Sequence, residues 1–427
     1  MSKTSAGKLT VLMITAFMDM VGLLMIVPLM PFYAKSMGAN GFIVGLLVSS
    51  FAIAQLLMAP IWGRFSDHYG RRPALIIGMS AAAIAYVIFA YANSLWLLFF
   101  SRLVQGAGGG TVSVIQAYVA DALEPKERAK GLGWLSAATN AGVALGPVIG
   151  GVALKWGTPA PGLIAASLSV VNIGFAWKFL VESRDMKEAA TSRANPRVPG
   201  RSRGAIARVV SHPNEAASRL IWIYAIAIGA FQGTTAILAL FLNARFGVTA
   251  QTIGWFFAYI GVISVVTRAL ILGWAVDKFG EARLSRVGSS LMALGLVLMP
   301  FIYPIADPHA LAHALGGVVP ASFLRALPFV PLGLAVALLP LGTAFTFPCV
   351  TALLSRVVPS TERGLYMGVQ QTFGGTSRVI FPVIYGFLFD RMIGAPFVLA
   401  AALVASTILM GLGMESYQTQ AAAAPSA

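Results

Sequence analysis

The sequence predicts an all-α membrane protein with twelve transmembrane helices in two pseudo-symmetric six-helix bundles. Three observations predict it. The 427-residue chain is 58% hydrophobic and 11% charged, with a mean hydropathy of +0.80. A soluble domain keeps about a quarter of its residues charged, so this chain cannot cover itself with a water-facing surface. Twelve apolar stretches can each cross roughly 30 Å of hydrocarbon, and landmarks of the first six recur in the last six.

The stretches are 9–33, 42–65, 74–92, 95–119, 131–154 and 162–181, then 219–243, 252–275, 284–305, 329–351, 365–388 and 395–414. They are continuous apolar runs, unlike the ~10-residue alternating segments of a membrane barrel. The first follows Lys3 and Lys8 and is too long for the apolar core of a signal peptide, so it reads as an uncleaved helix. After span six the stretch 182–218, with "SRANPRVPGRSRG", reads as a cytoplasmic linker carrying a short helix on the inner membrane surface. It divides the chain into a bundle at 1–181 and a bundle at 219–427. After span nine, 306–328 reads as an external insertion. The lone cysteine, Cys349, sits in an apolar run and reads as a packing residue.

The net charge is +15, and its location decides what it means. With the N-terminus inside, 18 of the 30 Lys and Arg fall on the cytoplasmic side and five outside, seven lying in or at the end of spans. That asymmetry is the positive-inside bias, and it puts both termini in the cytoplasm. No basic, aromatic-interleaved module marks a nucleic-acid surface. No phosphate-binding Gly-x-x-x-x-Gly-Lys-Ser/Thr loop occurs, and no nucleophile and base converge as an enzyme site would require. An ion gradient is then the natural energy source.

The halves share landmarks. Gly63-Arg-Phe-Ser-Asp67-His-Tyr-Gly70-Arg71-Arg72 follows span two, and Gly273-Trp-Ala-Val-Asp277-Lys-Phe-Gly280-Glu-Ala-Arg283 follows span eight, 210 residues later. Glu127-Arg128 returns as Glu362-Arg363 and "GPVIGG" as "FPVIYG", both 235 residues on. The change of register matches the external insertion. Same-sense repeats of six helices point to a pseudo-two-fold along the membrane normal.

These segments carry a resemblance. The stretch from Gly63 to Arg72 resembles motif A of the major facilitator superfamily, "SRLVQGAGGG" (101–110) looks like motif B, and "GVALGPVIGG" is similar to motif C, the antiporter motif. "DMVGLLMIVPLMP" (19–31) resembles the first helix of the twelve-helix drug:proton antiporters, which include multidrug and tetracycline exporters. The resemblance implies two bundles rocking around a midplane cavity lined by spans one and four, with motif A holding the state closed to the cytoplasm. It also implies that span five lies at the seam between bundles. Tetracycline exporters carry further carboxylates in their third and ninth helices; here those spans have none.

Physically, motif A suits a tight turn. Gly63 and Gly70 would allow close approach and unusual backbone angles. Asp67 would favour helix N-terminal amides, and Arg71 and Arg72 could meet Asp121 at the inner end of span four. The bland reading is that both arginines merely set topology. The second copy, Gly273, Asp277, Gly280 and Arg283, has Glu281-Ala282 where the first has Arg-Arg, which puts its gating role in question.

Charges inside spans are costly. Asp19 lies about 15 Å into span one and Arg102 about 10 Å into span four at 1.5 Å per residue. A carboxylate beside an arginine in low dielectric can exchange its proton as its surroundings change, so Asp19 reads as the proton carrier and Arg102 as its tuner, against a static ion pair. Arg378 lies halfway through span eleven, and Arg268 in the inner part of span eight, with no deep carboxylate in the second half. A cavity so charged favours anionic, zwitterionic or neutral amphipathic substrates. Gln55, Gln105, Asn140, Gln232, Gln370 and Gln371 could hydrogen-bond substrate or hold helices together; Gln232 falls near the repeat equivalent of Asp19. His309 and His313 lack a third metal ligand.

In motif C, Gly142, Gly146 and Gly150 recur every four residues on one face, the small-xxx-small pattern of close helix contact, followed by Gly151. Pro147 can bend the helix. "FPVIYG" keeps the proline and replaces two glycines by Phe381 and Tyr385, so the bend reads as shared and the glycine seam as unique to the first half. The expectation is a proton-coupled exporter of small amphipathic molecules in the bacterial inner membrane, a monomer with no metal or cofactor. The alternative is a proton symporter importing an organic anion. An integral membrane enzyme, or a receptor or scramblase on the same fold, is a more distant reading.

Overall fold

A computed structural model describes residues 3–123, 125–182, 201–314, 319–359 and 361–415. Among them there are helices and no strands. Ten helices are long and apolar enough to cross a membrane. The other two spans are a broken fourth span and the sixteen-residue helix Ala395–Met410, which completes twelve.

The helices of the first half are α1 (Lys3–Ile26), α2 (Met30–Ser36), α3 (Gly41–Tyr69), α4 (Arg71–Ala90), α5 (Leu95–Gly108), α6 (Thr111–Ala122), α7 (Pro125–Ala153) and α8 (Ala160–Phe179). Those of the linker and second half are α9 (Arg201–Ser211), α10 (Ala216–Phe246), α11 (Ile253–Val266), α12 (Leu272–Phe279), α13 (Glu281–Leu298), α14 (Pro308–Ala314), α15 (Ala321–Ala326), α16 (Phe329–Val357), α17 (Arg363–Arg391) and α18 (Ala395–Met410). Local chemistry sets several ends. Asn40 accepts the Ile43 amide at the start of α3, at 3.0 Å, satisfying one orphan donor of the first turn. Gly247, at φ +66°, closes α10 in the left-handed conformation that favours glycine.

Three spans expected to be continuous are interrupted, each for a legible reason. Span one breaks between α1 and α2 at 27–29, where Pro28 has no amide to donate. Span four breaks at Gly109 and Gly110 between α5 and α6. The Gln55 amide donates to the Gly109 carbonyl at 3.0 Å, so a backbone acceptor released inside the membrane finds a partner, the condition for a broken transmembrane helix. Span eight runs from α11 through a π-helical turn, Thr267–Ile271, into α12.

The chain forms two compact units. One holds α1–α8 together with Thr249–Val265; the other holds α9, α10 and the chain from Val266 onward. The N-terminal part of span eight joins the first unit through glycine: Gly254 lies against the Pro147 backbone and Gly261 against Ala144, both on α7. Within the first unit α1 packs on α7 and α8, and α4 on α5 and α8. The second unit repeats this, with α10 on α17 and α18, and α13 on α16 and α18. Each unit has its own apolar core, around Leu12, Leu75, Tyr118 and Ala176 in the first and Leu220, Tyr224, Leu354 and Val369 in the second. From the linker, α9 sends Ala205 and Val209 into that second core, and its Arg208 pairs with Glu215 at 2.8 Å. Linker residues 183–200 lie outside the described residues.

Candidate functional site

Asp19 sits past the middle of α1 and lines a cavity of ≈ 50 Å³ with Phe51, Gln55, Tyr86, Gln105 and Thr111. That is room for a few waters, since one needs about 10–15 Å³. The Thr111 hydroxyl, in the first turn of α6, donates to the carboxylate at 2.9 Å. The span-four break therefore aims a hydroxyl at Asp19. Arg102 is buried on α5, bonded to the Gln105 side-chain oxygen and stacked 4.5 Å over the Phe51 ring. No ion pair joins Asp19 to Arg102 among the described residues, so the expected direct tuning contact is absent; Gln105 and Tyr86 line the cavity with Asp19 instead. Gln105 keeps an unpartnered amide nitrogen. Asn140 is spent on its own helix, donating to Ser136 O at 2.8 Å.

Motif A forms a clasp at one end of the first unit. Only Gly70 separates α3 from α4; its φ of +102° is left-handed territory that costs a side chain roughly 1–2 kcal/mol. Arg71, 8% exposed, donates to Asp121 (2.9 Å), Asp67 (2.9 Å) and Ser66 (2.8 Å). Its expected meeting with Asp121 is present. Three expectations change. Arg72 does not reach Asp121; it donates to the Trp177 carbonyl at the end of α8. The α4 N-terminal amides are taken by Glu182, which accepts from Arg71 N at 2.9 Å and Arg72 N at 3.0 Å, leaving Asp67 to the Arg71 side chain. Gly63 lies inside α3 with nothing near its missing side chain, so it is not the close approach expected of it.

Glu182 was hidden because it follows span six, far from the motif in sequence. Its carboxylate occupies the place where a Gly70 side chain would project, so the glycine serves both backbone and partner. A negative group at a helix N-terminus is electrostatically favoured.

The second copy is also a clasp, with its charges exchanged. Gly280, at φ +75°, is the one residue between α12 and α13. Glu281, 6% exposed, stands 210 residues after Arg71 and accepts from Arg356, which stands 235 residues after Asp121. The two repeat offsets thus map one ion pair onto the other with reversed polarity. Gly273, like Gly63, has open space beside it. Asp277 and Arg283 are exposed near the ends of α12 and α13, and Arg283 takes no part in the Glu281–Arg356 pair.

The motif C glycines face span one. Side chains at Gly142 and Gly146 would come within 2.7 Å of Phe17 O and 2.8 Å of Val21 O, and Gly150 abuts the Met25 carbonyl. The residues of this motif that meet span eight are Gly151, against the Gln251 carbonyl, and Pro147, against Gly254. The glycine contact is not confined to the first half either. In the second, Phe381 and Tyr385 fill the space above Gly229 and Gly233 of α10, at 2.7 and 2.6 Å from where side chains there would begin.

Polar residues of the second unit are poorly matched. Gln370 is fully buried and its oxygen accepts from Thr351 at 3.4 Å, but its amide nitrogen has no partner. Arg268, in the π-helical turn, and Arg378, mid-α17, each have a buried Nε without a partner. Gln232 is half-buried and Gln371 exposed. Cys349 packs with Ala275, Leu284 and Phe345. In the segment between spans nine and ten His309 neighbours Arg325 at 3.4 Å, and no trio of His, Cys, Asp or Glu able to hold a metal occurs among the described residues.

Twelve spans in repeated sixes, a lone mid-span carboxylate on a small cavity and paired clasps on the interspan turns define a secondary transporter. The Major Facilitator Superfamily model matches residues 12–336. Multidrug resistance protein 2 of Bacillus subtilis (strain 168) is 26% identical over 405 residues, 95% of this chain and 93% of that one. The class C tetracycline resistance protein of Escherichia coli is 30% identical over 321 residues, 74% and 79% of the two chains. Among solved structures, the human organic anion transporter MFSD10 (TETRAN) superposes with a TM-score of 0.67 at 21% identity, covering 95% of this chain and 99% of its own. The chain belongs to the Major Facilitator Superfamily, in its group of drug:proton antiporters.

Proposed function

We propose that this protein exports small amphipathic molecules, drugs among them, across the bacterial inner membrane in exchange for protons. It acts as a carrier rather than an enzyme, as a monomer with both termini in the cytoplasm. The bundles at 1–181 and 219–427 rock about a midplane site, joined by the linker at 182–218. The observation that carries the reading is Asp19: a carboxylate deep in a span, on a cavity, held by one neutral hydroxyl and paired with no cation among the described residues. A group so placed gains or loses charge at high cost in either direction, so proton binding there responds to whatever else enters the cavity. Asp19 is the proton carrier; Arg102 acts on it through the cavity wall rather than by contact. Gln105, Asn140, Gln232, Gln370, Gln371, Arg268 and Arg378 are substrate-cavity residues. The Arg71 and Glu281 clasps are on the cytoplasmic side and are made and released in the cycle.

The test uses everted membrane vesicles acidified by respiration, with a pH-sensitive dye inside and a panel of amphipathic compounds including tetracycline added outside. Substrates should release protons from wild-type vesicles and none from Asp19→Asn vesicles of equal expression. Proton release that survives Asp19→Asn, or the absence of any active compound, contradicts the reading. Net accumulation by intact cells would instead identify the importing symporter.

A further inference from the structure

The mid-span arginine of α17, Arg378, takes part in no ion pair among the described residues. Arg378 is the sixteenth residue of a 29-residue helix, about 22 Å from its start at 1.5 Å per residue. In a hydrocarbon layer of roughly 30 Å that leaves no easy escape to either surface. Its Nε is buried without a partner among the described residues. Every described carboxylate of this unit lies in a loop or within two residues of a helix end. On its own helix the flanking acids are Asp390, about 18 Å away, and Glu362, about 24 Å away along the axis.

The surroundings of Arg378 are built from small and polar groups. Gln371, Gly375 and Arg378 follow the i, i+4, i+7 spacing of one helix face. Helical side chains lean toward the N-terminus, and the position between Gln371 and Arg378 on this face, Gly375, has no side chain. Gln371 is exposed; one position away, fully buried Gln370 has an unpartnered amide nitrogen among the described residues. Pro382, four residues on, has no amide to give the Arg378 carbonyl. The equivalent face in the first unit, 235 residues earlier, is Ser136, Asn140 and Val143, with no charge and Asn140 satisfied internally.

We propose that Arg378 and Gln371 form an anion subsite that receives the carboxylate or sulfonate of an amphipathic substrate, making amphipathic organic anions a preferred export class. A planar guanidinium and an amide on one face can bind such a group through charge-assisted hydrogen bonds, and the ligand's charge removes the cost of the isolated cation. The inference rests on the transport reading above, but binding alone tests it.

The experiment measures binding of indoleacetate, neutral indoleacetamide and cationic tryptamine to the full-length protein in neutral-lipid nanodiscs. Wild type should prefer the acid. Arg378→Gln should weaken indoleacetate by about tenfold or more and indoleacetamide far less, with an unchanged melting temperature and elution profile reporting a folded protein. Arg378→Lys should keep most of the affinity. Gln371→Ala, at an exposed position, should weaken the acid alone by a few-fold. Equal binding of acid and amide, no binding of any of the three, or indoleacetate binding that ignores Arg378→Gln overturns the proposal. So does loss of indoleacetate binding when phosphatidylglycerol is added, which would give the subsite to lipid headgroups. Anion selectivity without proton exchange in vesicles would leave the subsite standing and remove the antiport reading; proton exchange with neutral or cationic compounds but no anion selectivity would do the reverse.

Discussion

In the first unit the cation of the clasp sits on the turn, as Arg71, and the anion on span four, as Asp121. In the second, the anion sits on the turn, as Glu281, and the cation on span ten, as Arg356. Packing shows a parallel exchange. Span five brings glycines to the backbone of span one, whereas span eleven brings Phe381 and Tyr385 to glycines of span seven. The repeat therefore preserves positions and the need for a pair at each, not the residue types that fill them. An ion pair works in either polarity, and a knob and a hole can change helices. The halves differ where function is concerned: both keep unpartnered buried polar atoms, but the first carries a mid-span carboxylate, Asp19, and the second carries only arginines, Arg268 and Arg378, at such depth.

The contacts at the glycines are alike in spacing and unlike in kind. Gly150 meets a backbone carbonyl, whereas Gly233 meets a ring. Leucine at either position should cost about 3 kcal/mol by overpacking, read as a lower melting temperature and a loss of folded protein. Trimming the opposing residue should separate them. Tyr385→Ala should recover much of the stability lost in Gly233→Leu, whereas Met25→Ala should do little for Gly150→Leu, because a backbone cannot be trimmed. Equal rescue on both sides would make the two seams equivalent.

The clasps predict a smaller effect. Arg71→Glu should cost about 1–3 kcal/mol, the worth of hydrogen bonds to charged groups, reduced by the partial exposure of Asp67 and Asp121. Arg71→Glu with Asp121→Arg, which copies the second unit's polarity, should regain most of the Arg71–Asp121 share. Glu281→Arg with Arg356→Asp should behave likewise. Thermal stability and vesicle transport would both read this. A swap that recovers nothing would show that polarity matters and that Ser66, Asp67 and Glu182 fix Arg71 in place.

The smallest effect concerns the linker. Arg208 beside Glu215 holds that carboxyl below its ordinary range, first through their hydrogen bond. A lowered carboxyl stabilises the folded state above its unfolded pKa and loses that contribution as pH falls through the folded value. Glu215→Gln should therefore slightly lower stability at neutral pH, leave it unchanged below the folded pKa and so flatten the acid side of the curve, by the small amount an exposed pair allows. The first unit, with no such linker helix described, should show no counterpart.

Much of this fold was legible because hydrocarbon demands long apolar helices: the twelve spans, Asp19 and the Arg71–Asp121 pair all follow from sequence. The breaks were written there too, in Pro28 and in Gly109-Gly110, but were overrun by the apolar runs around them. Glu182 was not legible, since its partners are more than a hundred residues away. The Glu281–Arg356 pair was within reach, because the two repeat offsets predict it once charge type is ignored. Which neighbour the motif C glycines face was not, because a stripe of small residues names a close contact and not its partner.

The central claim is that the first unit carries the proton and the second meets the ligand. It is tested most directly by the proton released when purified protein in weakly buffered detergent is saturated with a ligand transported in the vesicle assay. The account predicts about one proton per protein from wild type and from Arg378→Gln at saturation, and none from Asp19→Asn. Release that persists in Asp19→Asn, or that disappears in saturated Arg378→Gln, would contradict it.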